Sequence, residues 1–216
     1  VPTEFAQIKR GDTVVDLGSG AGNDAFVSRA IVGEGGKVIG IDMTQPMIEK
    51  ARANASKLGF NNVEFRLGDI EDIPMSSDRA DVVISNCVLN LVPSKRQAFS
   101  EMYRILKPGG HFSISDVVLG SDLPTALKTD SELWAGCVSG AMLLDEYMLL
   151  LTEAGFINVN IQKQKPITLP HEILSRHLNE SEISEFEAQG QGILSVTVYG
   201  EKPVDERCCK PGSGCC

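Results

Sequence analysis

The chain has 216 residues, 42% of them hydrophobic and 23% charged, with a formal net charge of −9. That length suits one domain with a sizeable core. The acidic balance, with Lys and Arg scattered rather than clustered, argues against a nucleic-acid surface.

In chain order, short β-rich runs alternate with helical patterns, which predicts a parallel sheet covered by helices. "DTVVDLGSG" reads as a strand ending in a glycine turn, and "NDAFVSRAIV" as a helix capped by Asn23 or Asp24. "KVIGID" is the second strand, followed by an amphipathic helix over 44–59 with Thr44 as N-cap and Gly59 as C-cap. "NVEFRLGD" and "ADVVISNC" are the third and fourth strands. The helix "SKRQAFSEMYRILKPGG" is stopped by Pro-Gly-Gly, and "HFSISDVV" is the fifth strand.

After Gly120 the rhythm breaks. Residues 121–145 read as one or two short helices inserted before the helix "DEYMLLLTEAG". "NVNIQKQKPIT" and "ILSVTVYGEKP" are the closing strands, with a polar helical stretch near 170–187 between them. No apolar run reaches the roughly 20 residues of a membrane span, and no signal peptide opens the chain, so a cytoplasmic protein is expected. Four of the six cysteines fall as adjacent pairs in the tail "RCCKPGSGCC", which reads as reduced and disordered rather than as a disulfide framework or a zinc finger.

The turn "VVDLGSGAG" places Asp16, Gly18, Ser19 and Gly20 where a backbone can approach a ligand closely. A plain tight turn or a dinucleotide site would carry the same glycines. Two further acids bear on the choice. Asp42 ends the second strand, where an acid can take ribose hydroxyls, and Asp69 ends the third, where one can meet an adenine amino group. With no basic residue in the glycine turn, this acidic cradle suits a sulfonium cation better than a pyrophosphate.

"VVDLGSGAG", "VIGIDMTQPMIEKA", "LGDIEDIP" and "RILKPGGHFSISD" resemble, in order, the motifs of class I S-adenosylmethionine-dependent methyltransferases, over residues 10–118. The resemblance implies an α/β, Rossmann-like, seven-stranded sheet with helices on both faces, the last strand antiparallel, and a small inserted substrate lid. It implies a cofactor-binding core over 1–120, a lid with closing helix and strands over 121–200, and a flexible Cys-rich tail over 203–216. By the same resemblance Asp16, Gly18, Ser19 and Gly20 line the methionine end of S-adenosylmethionine. Asp42 and Met43 take the ribose and adenine, Asp69 and Ile70 the adenine, and Asn86 sits beside the methionine.

Cys87 ends the fourth strand, beside the reactive methyl in such a fold; alone, it would read as a small buried hydrophobe. Cys137 lies among small residues in the inserted segment. Two lone thiols in the segments expected to enclose the acceptor point to a soft, thiophilic atom. "SNCVLNLVPSK", "WAGCVSGA" and the Cys-paired tail resemble arsenite methyltransferases, and "DLGSGAGNDAF" is similar to that family's glycine loop. The resemblance makes Cys87 and Cys137 the two arsenic-binding thiolates, with glutathione or another thiol as reductant. Members usually carry a further cysteine before the first strand. This chain starts at Val1, so either a trimmed N-terminus or a third thiol from a small molecule is expected. The competing readings are a methyltransferase for a small apolar molecule of the quinone or sterol type, and a thiol protein that sequesters arsenic without turnover.

Overall fold

A computed structural model of the chain describes residues 2–121, 127, 140–188 and 192–204. Strands β1 (Thr13–Leu17), β2 (Lys37–Asp42), β3 (Val63–Leu67), β4 (Ala80–Asn86), β5 (Leu106–Leu119), β6 (Ile157–Pro166) and β7 (Ile193–Glu201) form one sheet in the order β3-β2-β1-β4-β5-β7-β6. β7 runs antiparallel to both β5 and β6, and the other pairings are parallel. The α-helices are α1 (Asn23–Val32), α2 (Gln45–Leu58), α3 (Lys95–Ile105), α4 (Leu144–Glu153), α5 (His171–Leu174) and α6 (Glu180–Ala188), with 3-10 turns at Pro2–Glu4 and Leu89–Leu91.

The central strands are apolar on both faces because helices cover both. Val14 of β1 with Val82 and Ile84 of β4 face Ala25 and Val32 of α1 and Ile48, Ala51 and Ala55 of α2. The alternate residues Val15, Leu17 and Val83 join Phe99, Met102 and Ile105 of α3 and Tyr147 and Leu151 of α4. This is the period-two alternation of a strand, and each fully buried large side chain contributes about 1.5–3 kcal/mol. A smaller cluster gathers Val117, Leu119 and Ile193 with Leu127, Leu169, Leu174 and Ile183, so the end of β5 has its own apolar cover, including α5 and α6.

The structure moves several boundaries. The helix α3 ends at Ile105, and Leu106 is already extended (φ −68, ψ 137), so β5 begins five residues before the expected His111 (111 − 106 = 5). Pro108 biases Lys107 away from helical backbone, and Leu106 pairs with Ala80 across a register shift in the β4–β5 ladder. At α1, Gly22 (φ 97) takes the cap position with no side-chain cap, which puts Asn23 and Asp24 inside the helix. Thr44 and Gly59 flank α2 as expected, Gly59 in the left-handed region. The polar stretch near 170–187 divides into α5 and α6. Most of the inserted segment, including Cys137, and the cysteine-rich tail lie outside the described residues.

Candidate active site

Strand order reverses between β1, whose connection leads outward to β2, and β4, which leads the other way to β5. A crevice at such a switch point, outside the carboxyl ends of the strands, is where open α/β sheets bind ligands. The Gly18 and Ser19 amides donate to the Ile41 carbonyl at 2.8 and 3.0 Å, which folds the glycine turn over β2. Gly20 N donates to Asp42 Oδ2 at 2.9 Å and Thr44 N to Asp42 Oδ1 at 2.8 Å. Asp42 is thereby locked at the lip by two backbone amides, with Met43 beside it 77% exposed.

Gly18 (φ +70) admits no side chain, since a Cβ there would lie 2.6 Å from Val88, whereas the space beside Gly20 is open. Beneath the turn, Asp16 is buried, and its Oδ2 and the Ser19 Oγ have no hydrogen-bond partner among the described residues. Burial, together with the charges of Asp24 and Asp42, pushes the Asp16 carboxyl well above the usual carboxylate range. A buried acid lacking a counter-charge is a receptor for a cation.

Asp69 lies just past β3, bridged to Asp72, and its Oδ1 accepts from Glu71 N at 2.9 Å. Ile70 is buried in the core, while Asp69 is exposed. The segment is anchored from α3: Glu101 Oε2 accepts from Ile73 N at 2.8 Å, and Arg104 donates to the carbonyls of Ile73 and Met75. Glu101 and Arg104 also pair with each other at 2.7 Å.

Past β4, Asn86 Nδ2 donates to Asp24 Oδ2 at 3.0 Å, joining this segment to the first turn of α1. Cys87 follows with φ 56, and its amide donates to Ser115 O of β5 at 2.8 Å. A left-handed conformation costs a residue with a Cβ of order 1–3 kcal/mol and recurs at functional sites. Cys87 is exposed, unlike the buried small hydrophobe that its strand-end position would otherwise suggest.

Four participants escaped the sequence reading. From the sequence Asp24 reads only as a helix cap. Asp116, in the buried β5, accepts from Tyr147 Oη at 3.3 Å and from Val117 N at 3.0 Å. Burial pushes its carboxyl up to about 7, opposed by the Val117 amide, the Lys95 charge and the Tyr147 hydroxyl. Burial, then Asp116, then the charge of Cys87 raise the Tyr147 phenol, which puts Cys87 within electrostatic reach of the pair. Lys95 is lowered by burial and supported by Asp116. The available signal was Asp116 itself, an acid inside the apolar run "SISDVVL".

The family model described as "Methyltransferase domain" matches residues 8–155. The chain belongs to the methyltransferase domain family. An arsenite methyltransferase from Halobacterium salinarum is 43% identical to this chain over 203 residues, 94% of this chain and 50% of that protein. One from Aquipseudomonas alcaligenes is 37% identical over 178 residues, 79% of this chain and 51% of that protein. The chain thus spans about half the length of these relatives. The crystal structure of an arsenic(III) S-adenosylmethionine methyltransferase from Chlamydomonas reinhardtii superposes with a TM-score of 0.75 at 32% identity, over 93% of this chain and 66% of that one.

The fold is the Rossmann-like sheet of class I methyltransferases, with its antiparallel last strand. The methyl donor of that class is S-adenosylmethionine, and the residues present fit it. The orphaned Asp16 Oδ2 and Ser19 Oγ, the open space at Gly20 and the absence of Lys or Arg from the glycine turn suit a cationic ligand. No helix among the described residues is long and apolar enough to cross a membrane.

Proposed function

We propose that this methyltransferase transfers the methyl group of S-adenosylmethionine to trivalent arsenic, as arsenite or methylarsenite, held on protein thiolates. The observation that carries the reading is the reach of the likeness. The 43% identity to an arsenite methyltransferase extends over 94% of this chain, through the acceptor half as well as the donor half. Asp16 and Ser19 would face the methionine end of the donor, with Gly18 and Gly20 giving its approach, Asp42 and Met43 the ribose and adenine, Asp69 and Ile70 the adenine. Asn86, tied to Asp24, would border the methionine moiety.

Cys87 would be one arsenic ligand and Cys137 the second. When Cys87 binds, its S–H proton leaves with an arsenic hydroxyl as water while an As–S bond forms. The arsenic lone pair is then left to attack, so the site needs no general base for the transfer itself. The bound cofactor supplies an electrophilic methyl on a sulfonium, and the protein's task is to hold arsenic about 3–3.5 Å from that carbon in line. Methyl transfer leaves arsenic formally pentavalent, and two electrons from glutathione or a similar thiol pair, oxidised to a disulfide, restore the trivalent state. A cytoplasmic setting, which keeps thiols reduced, fits this chemistry.

Incubation with S-adenosylmethionine, glutathione and either arsenical, followed by separation of the arsenic species, tests the reading. Methylated arsenic from at least one acceptor is expected. No product from either, with the cofactor still bound, would overturn it in favour of an apolar-molecule methyltransferase or a sequestering protein.

A further inference from the structure

The loop between β4 and α3 carries Cys87 at one end and Lys95, the first residue of α3, at the other. Two hydrogen bonds pin it to β5: Cys87 N to Ser115 O at 2.8 Å and Asn90 Nδ2 to Val117 O at 2.6 Å. A third leaves the sheet, from Lys95 Nζ to the Gly140 carbonyl at 2.9 Å. Gly140 belongs to the chain returning from the insertion after β5, which rejoins the sheet through Leu119 N to Met142 O at 2.9 Å. Gly140 sits so close to the Asn90 carbonyl that a Cβ there would overlap it. On the donor side, Val88 of the same loop fills the space beside Gly18. The loop is therefore wedged between the glycine turn and the returning chain.

Lys95 itself is half-buried, within electrostatic reach of Asp116. Asp116 is in turn held by Tyr147 Oη at 3.3 Å. A lysine ordinarily keeps its ammonium in water, and fixing one at a carbonyl costs rotamer freedom and desolvation. The nearby Asp116, where ionised, offsets part of that cost. Met, similar in length and without charge, can occupy the same space.

We propose that Lys95 is a positioning residue for methyl transfer, its bond to the Gly140 carbonyl fixing the Cys87 loop against the returning chain. The inference rests on the reading of Cys87 as an arsenic thiolate. Misplacement of a reacting atom lowers rate before it lowers affinity, so the effect falls on kcat.

Lys95→Met, Gly140→Ala and the double variant, checked for folding by thermal melts, are assayed for methylated arsenic. Affinities for S-adenosylmethionine and for methylarsenite are measured separately by calorimetry, each without the other ligand. Each single variant is expected to lower kcat about tenfold, the scale of one charge-assisted hydrogen bond. Both affinities should stay within about twofold, the double variant should be no slower than the slower single one, and Lys95→Arg should recover part of the rate. An unchanged kcat in Lys95→Met, an equal loss of cofactor affinity, or additive losses in the double variant would overturn the inference. A wild type that binds the cofactor and makes no methylated arsenic would overturn the parent reading, and this one with it.

Discussion

The donor side and the acceptor side of the crevice are built in different ways. On the donor side, one short turn after β1 and one acid after β2 hold each other through backbone amides, with Gly20 and Thr44 both bonded to Asp42. On the acceptor side, side chains from separated stretches bind across elements: Lys95 at the start of α3, Asn90 in the loop after β4, Asp116 in β5 and Tyr147 in α4. Backbone-built sites need only local sequence and the right strand order. Side-chain-built sites need distant elements to pack first, and they can be altered without disturbing the donor.

Cys87→Ser gives the largest expected effect and the sharpest separation of the two sides. Arsenical methylation should fall by about 10²-fold or more, with S-adenosylmethionine affinity within about twofold in calorimetry. Retained turnover would break the comparison, because the acceptor side would then not depend on this thiol.

Gly18→Ala should break the separation from the other direction. Its φ of +70 and the 2.6 Å approach to Val88 mean that one methyl strains the donor turn and displaces the Cys87 loop together. A loss of about 1–3 kcal/mol in chemical unfolding is expected, with weakened cofactor binding and turnover. If only cofactor binding suffered, the two sides would be less coupled than their contact implies.

The pH dependence of stability distinguishes the acceptor side again. The folded-state pKa of Asp116, about 7, lies above that of an ordinary carboxyl. The folded chain therefore holds a proton that the unfolded chain has released. That contribution is fully present below the ordinary carboxylate pKa and is lost as pH rises toward about 7. Thermal melts should show Asp116→Asn losing less stability than the wild type between mildly acidic and neutral pH; parallel curves would mean that the carboxyl does not titrate as its burial implies.

The smallest effect is expected away from both sides. Arg66 and Lys37 hold the Glu64 carboxyl down at about 2 on the β2–β3 surface. Its contribution is present above the ordinary glutamate pKa and is lost as pH falls toward about 2. Solvent screening keeps it under about 1 kcal/mol, so Glu64→Gln should shift the melt slightly at neutral pH, and cofactor affinity should not change.

The β1 and β2 strands, the glycine turn and the acids Asp16 and Asp42 were legible in the sequence because each depends on neighbours a few residues away. The end of α3 is not legible in the sequence. A helical pattern continues to Leu106, but a strand partner at Ala80, out of sight in the sequence, takes Leu106 into the sheet. The cap at α1 differs from the sequence expectation for a related reason, since Asp24 accepts from Asn86 of another element rather than capping its own helix end. Cys87 stands out in the sequence, but its exposure and left-handed backbone go with the amide bond to Ser115 of β5, which the sequence does not show.

By itself the sequence determined the alternation of strands and helices, the glycine turn and the identity of the acids and thiols, because periodicity and local turn chemistry need no distant partner. Only the tertiary structure decided that Asp16 Oδ2 is buried without a partner among the described residues, that Val88 closes on Gly18, that Tyr147 bonds Asp116 and that Lys95 reaches Gly140. Those features arise where residues far apart in the chain are brought together, and burial and charge are properties of that meeting rather than of any one residue.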